Sequence, residues 1–96
     1  MTNDPIKFHQ NVISVEDVLV QNLADEAVLL NLNNEAYYGL DEIGTRIFAI
    51  LQESNSIETA YQRLLEEYEV EPDVLKQDLL DFIEKLLEQG LIQLED

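Results

Sequence analysis

From Val18 to Leu40 the chain alternates short apolar runs with polar breaks, and at Asp41 the spacing changes to that of a helix. Runs of four to eight β-branched, aromatic and aliphatic residues bounded by Asn, Asp or Glu predict strands. Three are predicted, over 18–22, 27–32 and 35–40, with turns at Asp25-Glu26 and Asn33-Asn34. Asn tolerates positive φ better than other non-glycine residues, which suits Asn33-Asn34 to a tight hairpin turn. Strict alternation puts Val28, Leu30 and Leu32 on one face of the second strand. On the third, Ala36, Tyr38 and Leu40 share a face and Tyr37 lies opposite. The pattern predicts a three-stranded antiparallel meander with the third strand at an edge. Ahead of it, residues 1–11 carry little pattern and read as a flexible lead-in.

Beyond Asp41 three helices are predicted. Asp41 can N-cap the first, running to about Glu53, with Ile43, Ile47, Phe48, Ile50 and Leu51 on its inner stripe. Gly44 near its start lowers helix propensity and allows close packing against the sheet. Ser56 caps the second, to about Glu69, which buries Ile57, Ala60, Tyr61, Leu64, Leu65 and Tyr68. Pro72 opens the third, where its missing N–H costs nothing, and Gly90 is placed for a left-handed cap after about Gln89. A short strand over 91–94 closes the pattern. On the third helix the apolar residues from Phe82 and Leu75 round to Leu80 span an arc of roughly 160°, wider than the stripe of about 100° that faces a core. Such an arc serves either a helix wedged among several neighbours or a core plus a second surface. The whole is an α+β fold, winged helix-turn-helix-like: a three-stranded antiparallel sheet followed by three helices, in a single domain over 1–96.

Composition narrows the functional classes. The 96 residues contain no Cys, so packing alone must hold the fold, and a reducing compartment is compatible with it. No apolar run approaches the roughly 18 residues of a membrane span, and the polar start lacks the order of a signal peptide. A cytoplasmic protein is expected. Net charge is −16, from 21 acidic and 5 basic residues. The basic residues (Lys7, Arg46, Arg63, Lys76, Lys85) are scattered singly, which disfavours nucleic acid and anionic membrane as partners. Acidity either steers a basic or neutral partner or simply maintains solubility.

Catalytic chemistry has little to stand on. His9 is the only histidine and falls in the lead-in, while Ser14, Ser54 and Ser56 lack a nearby base. The acid pairs Asp41-Glu42, Glu66-Glu67 and Glu95-Asp96 lack the spaced ligand loop of a calcium site. Gly39 and Gly44 are not followed by the Lys-Ser/Thr of a phosphate-binding loop. Neither an enzyme nor a cofactor or metal site is expected.

A set of features in order along 28–94 resembles the PqqD-like family, whose members act as RiPP recognition elements. The set begins with an apolar strand, a turn, and Tyr37-Tyr38-Gly39-Leu40 ending in Asp41, where relatives often carry Asn. Ile43-Gly44-Thr45-Arg46-Ile47-Phe48 then starts a helix. A Ser-initiated second helix leads through Glu66-Glu67-Tyr68 to Pro72, and the last helix closes on Gly90-Leu91-Ile92. Two departures keep their physical roles: Phe48 where many relatives have Trp, and Asn33-Asn34 where they have a turn glycine.

The resemblance implies non-catalytic binding of the leader peptide of a ribosomally made precursor, by strand addition to the edge formed by Glu35, Ala36, Tyr37, Tyr38, Gly39 and Leu40. Leader side chains would enter a cleft against the third helix. There Leu75, Leu79, Phe82 and Leu86 supply its wall and floor, and Asp78 and Lys85 its rim. Periodicity leaves open which of these face the cleft and which the core. A stand-alone chain of this size looks most like the leader-binding partner of lasso-peptide pathways, handing the precursor to a maturation enzyme such as a leader peptidase or cyclase. The alternative within the family is the precursor carrier of pyrroloquinoline quinone synthesis. Outside it stands a winged-helix transcriptional regulator. For that the exposed side of the third helix (Gln77, Asp81, Glu84, Glu88) is wrongly charged.

Overall fold

Three strands form the antiparallel sheet that the alternation predicts, in a computed structural model that describes residues 6–96. They are preceded by a strand the pattern does not reveal. In chain order the elements are β1 (Asn11–Ser14), β2 (Val18–Leu23), β3 (Glu26–Asn31), β4 (Tyr37–Leu40), α1 (Glu42–Glu53), α2 (Ile57–Glu67), α3 (Pro72–Glu88) and β5 (Ile92–Glu95). The main sheet is ordered β2-β3-β4, and the three helices follow it, giving the α+β, winged-helix-like arrangement.

β1 and β5 pair antiparallel as a separate two-stranded sheet, with Asn11 opposite Glu95 and Ser14 opposite Ile92. Residues 6–11 therefore differ from the loose lead-in expected of them. The Ile57 and Glu58 N–H groups donate to the Gln10 and Phe8 carbonyls at 2.8 Å, and Phe8 packs edge-on against Tyr61. These backbone bonds satisfy donors that the start of α2 leaves without intrahelical partners. The remainder of the expected lead-in, residues 1–5, lies outside the described residues.

Both hairpin connections differ in detail from the sequence reading. The β2–β3 turn is Ala24-Asp25, one residue earlier than expected, with Ala24 at φ 58°. Between β3 and β4 the positive φ falls on Glu35 (62°), not on Asn33 or Asn34. The chain makes a five-residue loop there because Asn31 organises it. Asn31 is buried, its Oδ1 accepts from the Asn33 N–H at 2.9 Å, and its Nδ2 donates to the Gly90 carbonyl at 2.9 Å. The parity of β3 follows: Ala27, Leu29 and Asn31 face the helices, while the bulkier Val28 and Leu30 lie on the outer face. That outer face is half-covered at best, with Leu19, Leu23 and Tyr37 exposed beside them.

The core is the inner side of the sheet closed by one face of each helix. Leu29, Ile50, Ile57, Leu64, Leu79, Ile83, Leu86 and Leu91 are fully buried in it. The caps form as read: the Asp41 carboxylate accepts from the Gly44 N–H at 2.8 Å, and Ser56 Oγ accepts from the Thr59 N–H at 3.1 Å. Arg46 holds α1 to α2 through a two-pronged pair with Glu67, at 2.8 and 2.9 Å. That hydrogen bonding, with the charge behind it, holds the Glu67 carboxyl below the usual carboxylate range and raises Arg46 above its own ordinary value.

Candidate functional site

β4 ends the sheet, so one side of its backbone is unpaired among the described residues. The side chains and main-chain groups of an antiparallel strand alternate in a fixed way. The Asn31 N–H donates to the Ala36 carbonyl at 2.8 Å, and Leu29 and Ala27 lie opposite Tyr38 and Leu40. Tyr38 and Leu40 therefore bond inward to β3, and Tyr37 and Gly39 turn their N–H and C=O outward to the open edge. Tyr38 and Leu40 also carry their side chains to the inner face.

Beside that edge lies a groove of about 410 Å³. One wall is Tyr38, Gly39 and Leu40 of β4; the other is Asp78 and Phe82 of α3. The first turn of α1 closes it with Asp41, Ile43, Gly44 and Ile47. Gly44 lets the two helices come together here, since a Cβ at this position would lie 3.5 Å from a Phe82 ring carbon and 3.3 Å from the Asp41 carboxylate. The groove is apolar at its base and acidic at its rim. It can take an extended peptide that bonds to the edge and drops alternate side chains inward.

Five of the twelve site residues expected from sequence are brought together in the groove: Tyr38, Gly39, Leu40, Asp78 and Phe82. Leu75, Leu79 and Leu86 are not among its lining. They are buried in the core, so the expectation that they wall or floor the cleft gives way to Phe82, Ile43 and Ile47. The register of α3 decides this: the residues on its groove side are Asp78 and Phe82, one turn apart, and the leucines sit on the adjoining face. Lys85 is exposed further along α3. Tyr37 is 73% exposed on the outer face of the sheet, where its ring points away from the groove although its backbone serves the edge. Glu35 and Ala36 fall in the loop before β4, and the Ala36 N–H already donates to Asn34 Oδ1 at 2.9 Å.

Four groove residues were not expected: Asp41, Ile43, Gly44 and Ile47. Ile43 is 57% exposed, in contrast to its place on the predicted inner stripe of α1. A signal for it exists in the sequence. Ile43 lies in the first turn of α1, just after the Asp41 cap, where the helix has only begun to cross the sheet.

The family model for coenzyme PQQ synthesis protein D (PqqD) matches residues 26–92, from the start of β3 to the start of β5. No curated protein sequence matches the chain. Among solved structures, TbiB1 in complex with the TbiA(beta) leader peptide is 32% identical, with a TM-score of 0.78 over 83% of this chain and 93% of that one. A lasso peptide synthetase B1 complexed with the leader peptide is 24% identical and shares the fold, with a TM-score of 0.78 over 86% of this chain and 98% of that one. With the family pattern running from β3 through the groove-forming helices, the chain belongs to the PqqD-like family of RiPP recognition elements.

Proposed function

We propose that the protein binds the leader segment of a ribosomally made precursor peptide by strand addition to β4 and delivers it, without catalysis, to a separate maturation enzyme. The observation that carries this reading is the open backbone edge at Tyr37 and Gly39 beside the Phe82 groove. Edge bonds give affinity that is indifferent to sequence, and the groove adds selection through alternate side chains. The peptide-binding residues are Tyr37 and Gly39 by main chain, with Tyr38, Leu40, Asp78 and Phe82 by side chain. Ile43 and Ile47 join them, and Lys85, Glu35 and Ala36 flank the path. The 32%-identical relative was solved with a leader peptide, which favours leader binding. The fold is shared with a lasso peptide synthetase B1, so the pathway proposed is a lasso-peptide one rather than quinone-cofactor synthesis. A leader peptidase or cyclase is then the enzyme served. No helix among the described residues is long and apolar enough to cross a membrane, which is compatible with work in the cytoplasm.

The test is titration of ¹⁵N-labelled protein with synthetic peptides tiled across the leader of the precursor encoded beside it. Amide shifts are expected at 37–40, in the first turn of α1 and along 78–85, with micromolar or tighter affinity. Gly39→Pro removes an outward N–H, and Phe82→Ala removes the groove wall. Each is expected to weaken binding about fivefold or more, the scale of one lost hydrogen bond or one apolar contact surface. Absence of shifts in these segments with every leader peptide would sink the reading.

A further inference from the structure

The far edge of the sheet is open as well. β2 is the other terminal strand, and five of its six residues are exposed. The Leu32 N–H donates to the Asp17 carbonyl at 2.9 Å, which sets the parity of the β2–β3 ladder. Leu19, Gln21 and Leu23 bond to β3, while Val20 and Asn22 aim their main-chain groups away from the sheet. Next to these two residues lies a second cavity, of about 280 Å³, between β2 and α1, with Ser14 at the end of β1 closing one side. Val20, Asn22 and Ala27 line it from the sheet, and Phe48, Ala49 and Gln52 from the helix. On the opposite face Leu19 and Leu23 stand 54% and 55% exposed. A strand laid along this edge would meet outward main-chain groups, a cavity for side chains of one parity, and two leucines for the other. Edge strands are commonly guarded by Lys, Pro or a bulge. The sequence of β2, Val-Leu-Val-Gln-Asn-Leu, carries neither Lys nor Pro.

Charge selects the occupant. β2 itself is uncharged, but Glu16 and Asp17 precede it and Asp25 and Glu26 follow it, all exposed. Asp17 takes a hydrogen bond from the neutral Asn33 amide at 2.8 Å. A second copy pairing antiparallel across Val20 and Asn22 would set Glu16 and Asp17 against Asp25 and Glu26 at both ends, between two molecules of net charge −16. Like charges placed opposite one another oppose such pairing. We propose that the β2 edge is a second strand-addition site, which takes an extended segment of a partner protein with an apolar centre and Lys or Arg at both ends. β3 separates it from the leader groove, so both edges can be occupied at once.

The probe is the acetylated and amidated peptide KKTVTIQVKK, with EETVTIQVEE as its charge-reversed control, titrated at low salt into full-length ¹⁵N-labelled protein. The basic peptide is expected to shift amides over 18–23 and along the 45–52 face of α1, with binding that weakens as salt rises. The acidic peptide is expected to leave these amides in place. Val20→Pro removes an outward N–H without touching the ladder to β3, a position where edge strands tolerate proline. It is expected to weaken binding about fivefold or more. Ala49→Leu, which suits a helix and fills the cavity, is expected to do the same without relying on the strand. Neither variant is expected to alter leader binding at β4, so this site and the leader groove stand or fall separately. Shifts confined to 37–40 and α3, equal binding of the two peptides, or self-association through β2 without any peptide would overturn the proposal.

Discussion

At the scale of single residues, the two least comfortable positions are turn residues that carry a Cβ. Ala24 and Glu35 sit at φ 58° and 62°, a region that costs L-residues with a side chain roughly 1–2 kcal/mol. Glycine removes that cost but loses more freedom on folding. The net expectation for Ala24→Gly and for Glu35→Gly is a gain of up to about 1 kcal/mol, read from urea denaturation midpoints at unchanged slope. A loss in either would mean that its side chain has a stabilising partner outside the turn. Asn31 shows why sequence reading misplaced the second turn. Asn33-Asn34 carries a familiar hairpin signature, but the loop is built from a buried amide two residues earlier, which reaches Gly90 across 59 positions of sequence. Local turn chemistry is legible in a chain; a hydrogen bond to a distant helix end is not.

At the scale of elements, alternation and helical period found β2 to β4 and the three helices, with ends within a few residues, because each carries its own apolar pattern. β1 escaped because its four residues are too few to show a period, and it is a strand only through pairing with β5. The groove was half legible for a related reason. The arc on α3 announced a second surface, but Phe82 and Leu79 lie close together on the helical wheel, and only packing separates wall from core. Backbone parity makes a sharper statement than the side chains do. Tyr38 bonds to β3 and Gly39 does not, so proline at these adjacent positions is expected to act differently. Tyr38→Pro breaks the ladder and should lower the thermal midpoint by several degrees. Gly39→Pro should leave it nearly unchanged, since its N–H faces the open edge. Equal destabilisation by both would show that β4 is paired in the opposite parity and that the leader edge is misassigned.

At the scale of the whole molecule, a net charge of −16 on 96 residues sets a repulsion that every local contact works against. Ionic screening becomes effective as the Debye length falls to about 10 Å near 0.1 M salt. The thermal midpoint is therefore expected to rise with NaCl over that range, and a flat or falling response would contradict a repulsion-limited fold. Mild acidification relieves the same repulsion. The Arg46–Glu67 pair works in the other direction. Because the folded-state pKa of Glu67 is depressed, its contribution is full above the ordinary glutamate range and is lost only as pH falls through that lower value. Both groups reach solvent, which keeps this term small.

The β1–β5 ladder brings the two ends of the fold side by side, with Asn11 opposite Glu95 and Gln10 donating to Asp96. A chain entering at β1 leaves from the same corner at β5, and the two exposed hairpin tips lie elsewhere on the sheet. The fold is thus expected to tolerate splicing into a surface loop of a host protein, or circular permutation by joining its ends and reopening it at Ala24-Asp25, with the β4 edge left intact.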